Sequence, residues 1–148
     1  MNNKIIGIES SVNPGVIKII LNHYSVMYDE FYILHCSKIH SKEMLLPEDT
    51  YHITVDGQYL RDVAQSTVWE LVMYIYPEGI TGSEIGTYED FLESECNTCV
   101  IYYDCGYLEI YSKDEEHLFA MHKILSRLDT DELTFVTEEN FDRTAMHL

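Results

Sequence analysis

Residues 94–114 read SECNTCVIYYDCGYLEIYSKD, and how this stretch is read decides the fold. Two aromatic-rich apolar runs, Cys99 to Asp104 and Tyr107 to Tyr111, flank Cys105 and Gly106. They predict a β-hairpin with a tight turn in which Gly106 supplies a positive φ. Three of the four cysteines also fall here, which raises two other readings. A redox Cys-x-x-Cys places its first thiolate at a helix N-terminus, where dipole and amides lower its pKa, whereas Cys99 is followed by the strand-forming Val-Ile-Tyr-Tyr. A structural zinc needs four converging ligands. Residues three apart in a strand point to opposite faces, and Cys105 sits at the far strand end, about 20 Å from Cys99. Cys96, Cys99 and Cys105 therefore read as small buried hydrophobes, with metal binding by the three as the alternative.

Beyond the hairpin, Ser112 and Glu115 read as a capping box for a helix with Leu118, Met121, Ile124, Leu125 and Leu128 on its buried stripe. Leu133 to Val136 is a last strand, and the tail from about 138 is irregular. Before the hairpin, Thr87 and Asp90 cap a short helix, and Pro77 to Gly82 is a loop. The run TVWELVMYIYP (67–77) is a central strand covered on both faces. Asp56 caps a helix to Ala64 with Tyr59, Leu60 and Val63 on one face. Lys42 to Tyr51 is loop, Phe31 to Ile39 strand. Asn13 and Pro14 start a helix to about Tyr24 carrying Val16, Ile17, Ile20 and Leu21, after a strand from Lys4 to Glu9. From Thr67 the order is strand, helix, strand, strand, helix, strand, the split βαβ (ferredoxin-like) pattern. The expectation is one α+β domain over residues 1–148 with a mixed or mainly antiparallel sheet.

At 148 residues with 46% hydrophobic content, the chain has material for one core. Its net charge of −17 is uneven: residues 1–74 carry nine acids and five bases, residues 75–148 seventeen acids and four bases. A surface of that sign repels phosphate backbones, so nucleic acid and anionic membrane are disfavoured partners, and a basic protein is favoured. The opening MNNKIIGIES lacks the apolar run of a signal peptide, and no eighteen-residue apolar stretch follows. The expected location is the cytoplasm, where thiols stay reduced.

Motifs of known chemistry are absent. There is no Gly-x-Ser-x-Gly elbow and no phosphate loop, and TGSEIG lacks a dinucleotide glycine pattern. His35 and His40 flank Cys36, and His117 and His122 are five apart, so neither pair has the i, i+4 spacing of helical zinc ligands. Glu89 with Asp90, and Asp129, Asp131 and Glu132, read as a solvated acidic face. DTDEL lacks the spaced ligands of a calcium loop. No cofactor is expected.

The segment TYEDFLESECNTCVIYYDCGYLEIYSKD, a following helix and then FVTEENFDRT resemble DUF2691, a family from Gram-positive spore formers defined as a domain of unknown function. The resemblance implies a small cytoplasmic bacterial protein, and it carries no catalytic residues over.

Two functional readings follow. In the first, the acidic half meets a basic partner, as an inhibitor or immunity-type protein would, through Tyr102, Tyr107, Glu109 and Tyr111 of the hairpin. In the second, an enzyme or metal-binding protein uses Asp104 and Cys105 at the hairpin end. The tail is expected to dock through Phe141 as apolar anchor and Arg143 as a bidentate ion-pair donor.

Overall fold

The computed structural model describes residues 4–38, 53–65, 67–104 and 106–148. In order, these form β1 (Ile5–Val12), α1 (Pro14–Met27), β2 (Glu30–Lys38), β3 (Ile53–Asp56), α2 (Gly57–Ala64), β4 (Val68–Ile75), α3 (Tyr88–Glu93), β5 (Thr98–Tyr103), β6 (Tyr107–Ser112), α4 (Glu115–Ser126) and β7 (Thr130–Thr137). The strands make one sheet in the order β3-β2-β4-β5-β6-β1-β7. Every neighbouring pair is antiparallel, so the architecture is α+β.

Local chemistry explains most of the elements. Asn13 accepts a hydrogen bond from the Val16 amide (3.0 Å), with Pro14 filling the first helical position. Asp56 caps α2 through the Tyr59 amide. Thr87 and Asp90 bond each other's backbone amides in a full capping box at α3.

Several expectations need correction. α4 is capped by Asp114, which accepts from the Glu116 and His117 amides, while Ser112 ends β6 and accepts from the Asp114 amide. The positive φ of the hairpin turn falls on Asp104 (54°), not on Gly106, because an aspartate tolerates the left-handed region. β4 and β5 are adjacent and antiparallel, so α3 crosses nothing and the ferredoxin-like order does not extend over the second half. A split βαβ unit does arise from β6, α4 and β7, which flank β1 on either side. β3 was not foreseen, and Lys42 to Tyr51 lies outside the described residues.

The two faces of the sheet are covered differently. Against one face, α1 sets Ile17, Ile20, Leu21 and Tyr24, α2 sets Leu60 and Ala64, and α4 sets Leu118, Met121 and Leu125, over Ile8, Ile33, Leu71, Met73, Val100, Tyr102 and Ile110. Each such side chain contributes about 1.5–3 kcal/mol on burial. On the opposite face Tyr74, Cys99, Ile101 and Tyr111 are covered by Ile85 of the loop after β4, Phe91 of α3, and Phe141 and Met146 of the C-terminal segment.

Within the helical layer, the Tyr24 hydroxyl and His117 Nε2 are hydrogen-bonded at 2.9 Å, tying α1 to α4. Burial depresses the His117 pKa below its ordinary 6.5. The unfolded chain therefore binds a proton that the folded chain resists. Stability from this group is fully present above about pH 6.5 and is lost as pH falls below it. Urea unfolding at pH 7.5 and 5.5 checks this, with the expected result that His117→Phe loses less stability over that interval than the parent chain.

On the opposite face the Tyr111 ring lies directly on the β1 backbone. A Cβ at Gly7 would stand 2.6 Å from Tyr111 Cδ1 and 2.8 Å from the Ile110 carbonyl oxygen. Gly7→Ala is expected to destabilise by about 1–3 kcal/mol, read as a lower urea midpoint at unchanged m-value.

Candidate functional site

Alternation along β6 puts Tyr107, Glu109 and Tyr111 on the face opposite the long helices. The β1–β6 register sets Glu9 opposite Glu109 and Ser11 opposite Tyr107. Two carboxylates directly across a ladder repel, so one needs a countercharge. Arg143 supplies it: Nε donates to Glu109 Oε1 at 3.1 Å and Nη2 to Glu109 Oε2 at 2.8 Å, and the Tyr111 hydroxyl also donates to Glu109. Burial raises the Glu109 pKa, but the bonds from Arg143 and Tyr111 outweigh it and hold the carboxyl below its ordinary value. Glu9 moves the other way, raised by its own partial burial and by the fields of Glu109, Asp142 and Glu132.

The remaining Arg143 donors organise the tail. Nη1 bonds the carbonyls of Ala145 (3.2 Å) and His147 (3.1 Å). Phe141 packs edge-on against Tyr111. Met146 is fully buried; its amide bonds the Gly86 carbonyl and its own carbonyl accepts from the Tyr74 hydroxyl, both at 2.9 Å.

Beside this ion pair lies a cavity of about 260 Å³ lined by Glu9, Ser11, Tyr103, Tyr107, Glu109, Glu132 and Thr134, among others. Its geometry depends on a bulge. The β1–β7 register slips between Glu9 and Ser11, and in the extra stretch Glu132 takes φ 53°, which brings its carboxylate to the cavity. Tyr103 and Tyr107 stack with centroids 5.4 Å apart, and the Arg143 guanidinium lies 5.5 Å from the Tyr103 ring centre. Burial, then Glu109, push the Tyr103 phenol up to about 12. Glu9 accepts from Thr134 and Glu132 from Ser11 at 3.4 and 3.5 Å. Among the described residues, no Lys or Arg pairs with either.

Of the four hairpin residues expected to meet a partner, Tyr102, Tyr107, Glu109 and Tyr111, Tyr107 alone is exposed. Tyr102 lies under the helices and Tyr111 under the tail, both fully enclosed, and Glu109 is buried in its ion pair. Even spacing in a strand names the side-chain face but not what covers it. The cavity adds Glu9, which had read only as a strand end, and Glu132, which had read as part of a solvated acidic face. No local signal marks a bulge.

Cys96 and Cys99 are both buried as small hydrophobes, but the expectation that they face opposite ways needs correction. Cys96 precedes β5, so strand alternation does not apply to the pair, and both thiols enter the same apolar cluster. Burial pushes the Cys96 thiol up to about 12 and raises Cys99 as well, the reverse of an activated nucleophile. Among the described residues, no three His, Cys, Asp or Glu side chains converge as a metal would require. Asp104 is exposed at the turn; Cys105 and His40 lie outside the described residues. His35 pairs with Glu70 at 3.4 Å.

Fold and site together define a small α+β protein whose antiparallel sheet is roofed by helices on one face and strapped by its C-terminal segment on the other. Among the described residues, no helix is long and apolar enough to cross a membrane. The chain belongs to the family of proteins of unknown function DUF2691, matching it over residues 15–147. It is similar to the uncharacterised protein YncE of Bacillus subtilis (strain 168), with 28% identity over 71 residues. That match covers 48% of this chain and 46% of YncE, so it spans about half the length of that relative. No solved structure matches the chain.

Removing Arg143 leaves Glu109 charged and uncompensated. Arg143→Ala is expected to lower stability by about 3 kcal/mol or more, and Arg143→Lys to recover only part, since an ammonium cannot bond both carboxylate oxygens and two carbonyls in one plane. Deletion from Phe141 onward should lower the Tm further and reduce solubility by uncovering Tyr74, Cys99 and Tyr111. Thermal unfolding of the three variants checks the order.

Proposed function

We propose that this protein is a non-enzymatic binding module that engages a basic protein partner, in the manner of an inhibitor or immunity protein, acting in the cytoplasm. The observation that carries the reading is the cavity at the β6–β1–β7 end of the sheet. It gathers three carboxylates while Arg143, among the described residues the one cation beside it, is already committed to Glu109. Glu9 and Glu132 are left to attract a positive group from outside; partial burial first, and then the fields of Glu109, Asp142 and Glu132, raise the Glu9 pKa. The stacked Tyr103 and Tyr107 add an aromatic wall with Tyr107 half-exposed, the type of surface that is enriched at interfaces and that attracts cations. The net charge of −17 steers a basic partner toward it.

Titration with a short lysine- and arginine-rich peptide tests the reading. Binding is expected to weaken at least about tenfold between about 0.02 and 0.5 M salt, because exposed charges are screened beyond the Debye length. The Glu9→Gln, Glu132→Gln double variant and Tyr107→Ala should each weaken it at low salt without loss of fold. Binding indifferent to salt and to these substitutions would overturn the proposal.

A further inference from the structure

A second concavity lies on the same face of the sheet, between α3 and the segment after β7. It measures about 300 Å³ and is lined by Ile6, Tyr88, Glu89, Leu92, Glu138 and Phe141. Its floor is apolar: Ile6 is buried, and the Tyr88 and Phe141 rings meet at 5.0 Å with planes tilted by 43°. Leu92 stands half-exposed at its wall. Its rim is acidic, with Glu89 on the first turn of α3 and Glu138 just beyond β7. Both are exposed, and among the described residues neither pairs with a cation. Behind burial, the fields of these same two carboxylates raise the Tyr88 phenol, so both act on one spot.

An apolar slot with two separate anions at its mouth complements a long hydrocarbon stem ending in a compact positive charge. We propose that this groove receives one lysine side chain of the basic partner, with its methylenes along Ile6, Leu92 and Phe141 and its ammonium between Glu89 and Glu138. The inference rests on the binding function proposed above and adds a second contact and the side chain that makes it. Lysine fits better than arginine because the carboxylates come from two different segments, which suits a point charge with rotatable donors rather than a planar fork made for one carboxylate. The chain uses a similar arrangement itself one helical turn away: Lys113 lies 5.1 Å from the Phe91 ring centre and donates to the Ser94 carbonyl.

The test is a titration of the isotopically labelled full chain, followed by amide NMR at low ionic strength, with the capped peptide Ala-Lys-Ala and its norleucine and arginine counterparts. The lysine peptide is expected to shift the amides of Tyr88, Glu89, Leu92, Glu138 and Phe141 saturably. Norleucine should bind at least tenfold more weakly, as should lysine to the Glu89→Gln, Glu138→Gln double variant, whose exposed positions leave the fold intact. Glu9→Gln, Glu132→Gln should leave this affinity unchanged. Shifts confined to Glu9, Tyr107 and Glu132 would overturn the second contact while leaving the proposed function standing, and no shifts at either place would overturn both. Norleucine binding as well as lysine would remove the role of the charge, and arginine binding as tightly as lysine would overturn the choice of side chain.

Discussion

A carboxylate placed inside a sheet is the constraint on which the non-helical half of this molecule depends. Glu109 sits on β6 with its side chain enclosed, opposite another glutamate. An uncompensated charge there would cost several kcal/mol. Only a guanidinium delivered from outside the sheet satisfies it, and Arg143 arrives from 34 residues away. Once it is seated, its remaining donors set the backbone of Ala145 and His147, which positions Met146 over Tyr74 and Cys99. The ion pair thus contributes register more than net energy: a hydrophobic replacement could match its free energy without fixing which part of the tail lies where.

The two faces consequently rest on different kinds of interaction. The helical face is held by apolar area from three amphipathic helices, an interaction without direction. The other face is roofed mainly by irregular chain, whose backbone groups must find individual partners. Tyr74 serves both the Ile85 and Met146 carbonyls, and the Met146 amide bonds Gly86. Loop and tail are therefore joined to each other as well as to the sheet, α3 meets the tail through the Tyr88 and Phe141 rings, and both acidic concavities lie along the margins of this roof.

What was legible in the chain follows from the range of the forces involved. Asn13-Pro14, Asp56 and the Thr87–Asp90 box act within four residues, so α1, α2 and α3 could be read directly, as could the hairpin. The docking of Phe141 and Arg143 was foreseen from composition, an arginine and an aromatic in an acidic tail, but its partner was not, since nothing local distinguishes Glu109 from the other acids. β3 has only four residues and owes its conformation to pairing with β2. The cap of α4 shifted from Ser112 to Asp114 because β6 continues through Ser112, whose Oγ bonds Thr98 across the ladder. The cavity depends on a register slip between strands more than a hundred residues apart, and Tyr111 differs from Tyr107, on the same face of β6, only in what packs above it.

The bulge in β7 has a second consequence, for the sheet as a template. β7 is a terminal strand, and a terminal strand offers unpaired amides and carbonyls to any extended chain. Asp131 and Glu132 stand exposed on it, and the left-handed turn at Glu132 breaks its regular ladder. A strand added edge to edge would meet two negative charges and a kink within its first few residues. The distortion that shapes an acidic cavity on one side therefore also guards this edge against polymerisation into a continuous sheet.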